Sequence, residues 1–342
     1  MSLFKKNKTG PVIKTWPLQL HWDTEDPFIF VSHHCDNYPK GNAQQAPPLK
    51  EISGRNLGRD YKERFGFRMY NGKVVPGFPL HAHWGYETIT IPELGFIDHF
   101  DCLGNQGRYG FGDVHWLTAG SRYQHNEMYP LAYSDKENPN DITQIMINLP
   151  LKNKGTKPEF KMMWSEKIPI IRGEGYSVKI IAGSFNGIEA LAPSDISWAA
   201  DPKHHVNIML IKMIPNSKIT LPAISTVVNR NLYFITGNTI TIGKETIEYS
   251  KRIKLDGNTD ICITNGDKDS TLWFLEGEPI KEKTVSFGPV NLETEKEVRI
   301  AIDTIRKEEF KNWPWDVIDK AQPIGTERFV RYADGTEEHP SQ

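Results

Sequence analysis

Hydrophobic and polar positions alternate over many short stretches of the chain. β-branched and aromatic residues recur at every second position and are interrupted by clusters of Gly, Pro, Asn and Asp, which is typical of short strands joined by turns. The clearest predicted strands span residues 86–91, 141–149, 176–183, 206–214, 231–243 and 270–277. Because helical patterns do not alternate with these strands, the sequence favours an all-β fold of sandwiches or barrels over a parallel α/β sheet.

One segment near the C-terminal end predicts a helix. Over residues 292–313 acidic side chains crowd the first turns, where they complement the helix dipole. The apolar positions of the segment fall roughly on one stripe and are Val298, Ala301, Ile302, Ile305 and Phe310. We therefore predict a single long helix before the C-terminal tail.

The length of the chain predicts more than one domain. A chain of 342 residues is longer than a single hydrophobic core usually sustains. Residues 152–160 are rich in Lys, Gly and Pro and follow a predicted strand, so they form the best internal boundary. We predict a first domain over residues 1–160, a second over residues 161–290, and a C-terminal helix and tail over residues 291–342.

Composition and charge narrow the class of protein. The 41 Lys and Arg residues nearly balance the 43 Asp and Glu residues, so no basic surface is expected for direct nucleic-acid binding. No apolar run is long enough to span a membrane. The cysteines Cys35, Cys102 and Cys262 are widely spaced and odd in number, which indicates free thiols in a reducing compartment. We expect a cytoplasmic protein.

Two short motifs carry candidate metal chemistry. Residues i and i+2 of a strand point to the same face, so His81 and His83 project together, and His125 and Glu127 repeat the spacing. Two neighbouring strands of a barrel would aim three imidazoles and one carboxylate at a single point. Such a set without a thiolate suits iron, manganese, nickel, copper or catalytic zinc rather than a closed structural zinc site.

The residues around these motifs resemble the pirins, iron-binding members of the cupin superfamily. HAHWGYET at residues 81–88 is similar to the family signature His-Pro-His-Arg-Gly-Phe-Glu-Thr. GDVHWLTAG at residues 112–120 resembles Gly-Asp-X-Gln-Trp-Met-Thr-Ala-Gly, and HNEM at residues 125–128 matches His-X-Glu-Met. The resemblance implies two cupin jelly-roll barrels in one chain, a bicupin, with its metal site in the first barrel and no recognisable site in the second.

The resemblance also implies a ligand set and a metal. The pirin set comprises His81, His83, His125 and Glu127 and would hold iron, most readily Fe²⁺. The general cupin pattern instead implies His81 and His83 with two other residues, Glu87 and His115. His115 stands where pirins usually have Gln, so this sequence keeps both sets open. We favour the pirin set and expect His115 to line the pocket.

Other residues near the motifs receive separate expectations. Trp84 replaces the usual Arg of the family and Ala82 replaces a Pro, so Trp84 and Tyr86 are expected to form an apolar pocket mouth. For His99, packing within the barrel is favoured over a role in the pocket. Trp313 and Trp315 are expected to dock the C-terminal segment onto a barrel.

The resemblance implies two classes of function. One is a quercetin 2,3-dioxygenase-type oxygenase acting on flavonols or related enediols and catechols, with Glu127 as the catalytic base for a small aromatic substrate. The other is a metal-dependent, redox-sensing protein that binds a protein partner and regulates transcription or a metabolic enzyme without catalysis. The sequence leaves the oligomeric state open and is compatible with a monomer.

Overall fold

The computed structural model describes residues 10–308 and 311–341 of the chain. Residues 1–9 of the predicted first domain, residues 309–310 of the predicted helix and residue 342 of the tail lie outside this range. No helix in the described residues is long and apolar enough to cross a membrane.

In chain order the described strands are β1 Val12–Pro17, β2 His21–Trp22, β3 Phe28–Tyr38, β4 Gly77–His83, β5 Tyr86–Leu94, β6 Phe96–Asp101, β7 Gln106–Gly110, β8 Val114–Thr118, β9 Tyr123–Met128, β10 Asn138–Asn148, β11 Glu159–Met163, β12 Ile170–Gly173, β13 Tyr176–Ala182, β14 Ser184–Phe185, β15 Ile188–Glu189, β16 Asn207–Met213, β17 Lys218–Leu221, β18 Asn229–Thr236, β19 Thr239–Ile242, β20 Glu245–Glu248, β21 Lys251–Leu255, β22 Ile261–Asn265, β23 Ser270–Gly277, β24 Val285–Phe287, β25 Val290–Leu292, β26 Phe329–Arg331 and β27 Glu337–Glu338. The helices are α1 Leu49–Ile52 and α2 Glu295–Lys307, with 3-10 helices at Leu151–Asn153, Trp198–Ala200 and Pro202–His204.

Strands dominate the described residues, and the all-β prediction is confirmed. Each of the six predicted strands overlaps an observed strand. The predicted strand over residues 231–243 is two strands, β18 and β19, because Gly237 has a φ of +127° and turns the chain between them. The pattern of alternating residues therefore located the strands but did not predict the turn at Gly237.

Helix α2 is shorter than the predicted helix. It begins after Thr294, whose side chain accepts a hydrogen bond from the backbone nitrogen of Glu297, while the Glu297 carboxylate accepts one from the backbone nitrogen of Thr294. Strand β25 extends to Leu292, so the predicted helix start at residue 292 is wrong. Val298 and Ala301 form the buried stripe, as the spacing predicted.

The chain divides into two compact units, and each is built from two separated stretches of sequence. The first barrel comprises residues 31–166 with residues 282–308 and 311–341, and the second comprises residues 10–30 with residues 167–281. This division differs from the predicted one at both ends of the chain. Strand β1 pairs with β21 of the second barrel, and β26 pairs with β7 of the first. Each terminal stretch therefore joins a sheet whose other strands are far away in the sequence.

The first barrel consists mainly of two antiparallel sheets. One contains β11, β8, β5, β10 and β3 in spatial order, and the other contains β27, β26, β7, β6, β9 and β4. Apolar side chains between them, among them Tyr70, Ile97, Tyr109, Tyr129 and Ile142, are almost completely buried. The core therefore lies between the sheets, which are the elements that carry the candidate metal ligands.

The second barrel has a larger aliphatic core. Its main sheet runs β1, β21, β18, β23, β16, β13 and β12, and a smaller sheet runs β17, β22, β19 and β20. The core contains Val178, Ile180, Ile211, Leu232, Phe234, Ile253, Ile263 and Leu272. Side chains at every second position of these strands meet in this core, which is the arrangement that the alternating sequence pattern predicted.

A C-terminal segment, residues 313–322, lies on the outer face of the strands that carry the ligands. The indole nitrogen of Trp315 donates to the backbone oxygen of Asp101, and its ring packs against Phe100. The backbone nitrogen of Leu80 donates to the oxygen of Ile318. The expected docking of this segment through Trp315 onto a barrel is thereby observed, and it takes place on β4, β6 and β9.

Candidate metal centre

Two neighbouring strands carry the four residues of the predicted pirin set. His81 and His83 lie on β4, and His125 and Glu127 lie on β9. The strands pair antiparallel with His81 directly opposite His125. Because directly opposite residues share a face of a sheet, the i and i+2 spacing on both strands directs all four side chains into the barrel.

Three imidazoles converge in this part of the barrel. The candidate ligand atoms of His81, His83 and His125 all lie within 4.8 Å of one another. Nε2 of His83 is 2.9 Å from Nε2 of His125, and the ring centroids of His81 and His125 are 4.5 Å apart. The His125 side chain is fully buried, whereas 28% of the His81 side chain is exposed. This triad can hold a metal ion and is open to solvent on the side of His81.

The Glu127 carboxylate lies beside the triad and is held from the opposite sheet. Its Oε2 is 3.8 Å from Nε2 of His81 and 3.9 Å from Nε2 of His125. Thr90 Oγ1 donates to Oε1 at 3.0 Å, and Gln144 Nε2 donates to Oε2 at 2.9 Å. The structure thus brings all four residues of the predicted pirin set together, with the carboxylate fixed by two neutral donors.

The charge state of the triad suits metal binding. Burial lowers the pKa of His83 and of His125 well below the usual value of imidazole. Burial also lowers the pKa of His81, although the nearby Glu127 carboxylate acts in the opposite direction. His81 Nδ1 donates to the backbone oxygen of Pro79 at 3.0 Å, which leaves its Nε2 with a free lone pair. Neutral imidazoles are therefore present at neutral pH.

A third pair of polar residues supports the triad from β6. His99 and Asp101 point into the barrel with i and i+2 spacing, and His99 Nδ1 lies 3.3 Å from Nδ1 of His125. Burial acts to raise the pKa of Asp101, but hydrogen bonds from His99, Tyr123 and Asn105 outweigh it and lower that pKa. The prediction favoured packing of His99 over a role in the pocket and did not include this contact, although the His-X-Asp spacing repeats the signal used for the other two strands.

The structure separates the two residues that were specific to the general cupin set. In the pairing of β5 with β8, Glu87 is opposite Thr118 and Thr90 is opposite His115. Because Glu87 and Thr90 are three positions apart, Glu87 points to the other face of the sheet from His115. The Glu87 carboxylate accepts hydrogen bonds from Trp116 Nε1 at 3.0 Å and Thr118 Oγ1 at 2.7 Å. Glu87 is therefore not brought to the histidine triad.

His115 lies inside the barrel and contacts the imidazole of His99, which in turn contacts His125. Its ring centroid is 4.6 Å from that of His99 and 4.7 Å from that of Phe160. Burial lowers the pKa of His115 well below its usual value. Among the described residues neither of its ring nitrogens has a hydrogen-bond partner. His115 thus neighbours the residue that supports His125.

The expected apolar mouth formed by Trp84 and Tyr86 is not observed. Trp84 packs with the cluster of Val290 and Val298 beside α2, because it follows the inward-facing His83 and points the other way. Tyr86 is buried, and its hydroxyl oxygen lies 2.7 Å from Nδ1 of His83. Tyr86 therefore orients a candidate ligand, while the ring centroid of Phe78 is 6.1 Å from that of His81.

Comparison with known proteins identifies two matched regions. Residues 15–147 match the Pirin family, and residues 208–311 match the Pirin C-terminal cupin domain. A pirin-like protein of Arabidopsis thaliana is 30% identical over 73% of this chain and 82% of its own length. Human pirin is 29% identical over 72% of this chain and 84% of its own.

One further relative and one solved structure bear the name of an enzyme. A Thermoplasma acidophilum protein provisionally named quercetin 2,3-dioxygenase is 29% identical over 68% of this chain and 92% of its own. A crystal structure of quercetin 2,3-dioxygenase from Acinetobacter baumannii superposes with a TM-score of 0.69 at 18% identity and covers 88% of this chain and 98% of that one. These likenesses confirm the predicted bicupin fold, and the chain belongs to the pirin family of the cupin superfamily.

Proposed function

We propose that this chain is an iron-dependent dioxygenase of the quercetin 2,3-dioxygenase type, acting on flavonols or related enediols and catechols. The observation that carries the proposal is the convergence of three neutral imidazoles and the Glu127 carboxylate at one point of the first barrel. The names of two relatives at 29% and 26% identity, both provisionally quercetin 2,3-dioxygenases, support the same reaction class.

The donor set fits iron. Three imidazole nitrogens and one carboxylate oxygen, with no thiolate among them, are ligands that Fe²⁺ accepts, and they leave coordination positions open. Manganese, nickel, copper and zinc accept the same donors. Iron held by His81, His83, His125 and Glu127 would supply the Lewis acid and the redox partner that oxygen chemistry needs.

The side chains around this set perform the remaining tasks. The exposed edge of His81 gives the substrate an approach, whereas burial of His83 and His125 excludes bulk water from the other sides. Glu127 Oε2 is the atom that takes the proton of the substrate hydroxyl. Gln144 and Thr90 hold the carboxylate in place, so the acceptor is positioned before the substrate arrives.

Oxygen uptake and loss of flavonol absorbance by purified, iron-loaded protein test the proposal. We expect turnover of quercetin by the unaltered chain and a loss of at least about 100-fold in Glu127→Gln, which removes the proton acceptor. Glu87→Gln is the matched control and should retain activity. It makes the same chemical change at a carboxylate on β5 that points away from the histidine triad. Absence of oxygen uptake with flavonols, enediols and catechols in protein that does hold iron would contradict the enzyme proposal.

That negative result would favour the second candidate, a redox-sensing protein that binds a partner. The burial of His83, His125 and Glu127 supports this alternative, because it limits substrate access to the side of His81. If this role is correct, oxidation of bound iron should change the protease sensitivity of the surface around His81 in the absence of any substrate.

A further inference from the structure

His99 contacts the triad from behind, on the side of His125 that faces away from the other ligands. Its Nδ1 is 3.3 Å from His125 Nδ1, whereas His125 Nε2 faces Nε2 of His83. Two ring nitrogens form a hydrogen bond only when one carries the proton and the other a lone pair. The direction of this bond therefore determines which nitrogen of His125 is free to bind a metal.

Tyr123 and Asp101 determine that direction. The Tyr123 hydroxyl donates its single proton to Asp101 Oδ2. The same hydroxyl oxygen is 3.2 Å from Nε2 of His99, so toward His99 it can only accept. Asp101 Oδ2 is also 3.6 Å from this nitrogen and attracts its proton. His99 consequently carries its proton on Nε2.

With the proton of His99 on Nε2, its Nδ1 offers a lone pair. His125 must then donate from its own Nδ1, and its Nε2 keeps the lone pair that faces His81 and His83. We propose that His99, oriented by Tyr123 and Asp101, is a positioning residue that holds His125 in the tautomer able to bind a metal through Nε2. This inference rests on the metal site of the proposed function and assigns no chemical step to His99.

Loss of the acceptor on His99 would act on metal binding in two ways. The buried Nδ1–H of His125 would have no partner, and the ring would be free to place its proton on Nε2 instead. Partners that orient a metal-binding histidine typically change metal affinity by about 10–100-fold when removed. The effect should appear in the dissociation constant of the metal itself, before any substrate is present.

Two nearly isosteric substitutions isolate the hydrogen bond. In His99→Asn the amide oxygen stands near the position of Nδ1 and keeps an acceptor, whereas His99→Leu fills similar space without one. We expect His99→Leu to weaken Ni²⁺ or Co²⁺ binding by about 10–100-fold and His99→Asn to stay close to the unaltered chain. His115→Gln is the control, because His115 contacts the same ring yet has no hydrogen-bond partner among the described residues.

Histidine tautomers, measured by ¹⁵N NMR on the full unaltered chain with and without Zn²⁺, test the inference directly. We expect protons on Nε2 of His99 and on Nδ1 of His125, with Zn²⁺ on Nε2 of His125. A proton on Nδ1 of His99, or equal metal affinity in the Leu and Asn variants, would overturn the inference. If the His99→Leu variant does not fold, the tautomers measured on the unaltered chain decide the question. If the unaltered chain binds no metal, the proposed metal site is contradicted, but the tautomers of the metal-free chain still test the role of His99.

Discussion

Burial determines the charge of the histidines at the scale of single residues. Because the pKa values of His83 and His125 lie well below the usual value, and that of His81 is also lowered, protons compete with a metal ion only in acid. We expect metal affinity to stay constant from about pH 8 down to about pH 6.5 and to fall below it. Ni²⁺ titrations across this range measure the profile, and a fall in affinity already above neutral pH would contradict the prediction.

A second prediction at this scale concerns the residues that hold Glu127. Gln144 donates to both carboxylate oxygens, at 3.2 and 2.9 Å, while Thr90 donates to one of them. Gln144→Met should free the carboxylate to rotate and lower metal affinity or turnover by about 10–100-fold, and Thr90→Val should have the smaller effect because it removes a single donor to Glu127. Metal titration of both variants gives the order, and the reverse order would contradict this account of Glu127.

At the scale of elements, Asn126 connects the ligand strand β9 to the C-terminal segment. It lies between His125 and Glu127 but points outward, where its Nδ2 donates to the backbone oxygens of Ile318 and Lys320 and its Oδ1 accepts from Phe100. Asn126→Leu should remove the partner of the Phe100 nitrogen and of the Lys320 oxygen, whereas the Ile318 oxygen keeps its bond from Leu80, and should cost about 1–3 kcal/mol of unfolding free energy. It should also increase hydrogen exchange in residues 316–322.

Lys320→Ala is the control for this prediction. It removes the hydrogen bond from its ammonium to Asp316, a largely exposed residue, but leaves the backbone oxygen that Asn126 contacts. An exposed ion pair of this kind contributes about 0–1 kcal/mol, so exchange in the segment should change little. Equal protection in Asn126→Leu and the unaltered chain would show that the segment is held by other contacts.

Local patterns predicted the elements better than the connections between them. Alternation located the strands, and the spacing of His81 with His83 and of His125 with Glu127 placed four side chains on one face, because a strand has a fixed period of two. The family resemblance favoured Glu127 over Glu87, but the pairing of β5 with β8, which separates Glu87 from His115, is contained in no local pattern. The role of His99 likewise depended on a neighbouring strand, although its spacing to Asp101 was visible.

At the scale of the whole molecule, the ends of the chain were the least predictable feature. A boundary near residue 160 follows from composition, and the units divide between residues 166 and 167. The assignment of residues 10–30 to the second barrel, and of the C-terminal stretch to the first, depends on pairings between positions far apart in sequence. Such pairings depend on which edge strands of a sheet still have unpaired backbone groups. The composition of a segment does not indicate which edge strand it will pair with.

The C-terminal stretch also completes the polar interior of the first barrel. Arg108 forms a buried pair with Asp98 at 2.6 and 2.8 Å and donates to the backbone oxygens of Gln322 and Thr326. The backbone nitrogen of Gln322 donates to Asp98. Removal of this stretch would take these backbone partners from the buried ion pair, leaving Arg108 its hydrogen bond to Gln45 Oε1, and would expose the edge of β7, each at a cost in stability.

A chain that ends at residue 281 should therefore lose the first barrel while keeping the second. The sheets of the second barrel are formed by residues 10–30 and 167–281, all of which this chain retains. We expect residues 31–166 to become sensitive to protease and to lose metal, because β4 and β9 lose the segment that packs on their outer face. A chain that ends at residue 335 is the control, since it lacks only β27 and keeps the pairing of β26 with β7. Full metal content in the chain ending at 281, with protease fragments like those of the unaltered chain, would show that residues 31–166 fold without the C-terminal stretch.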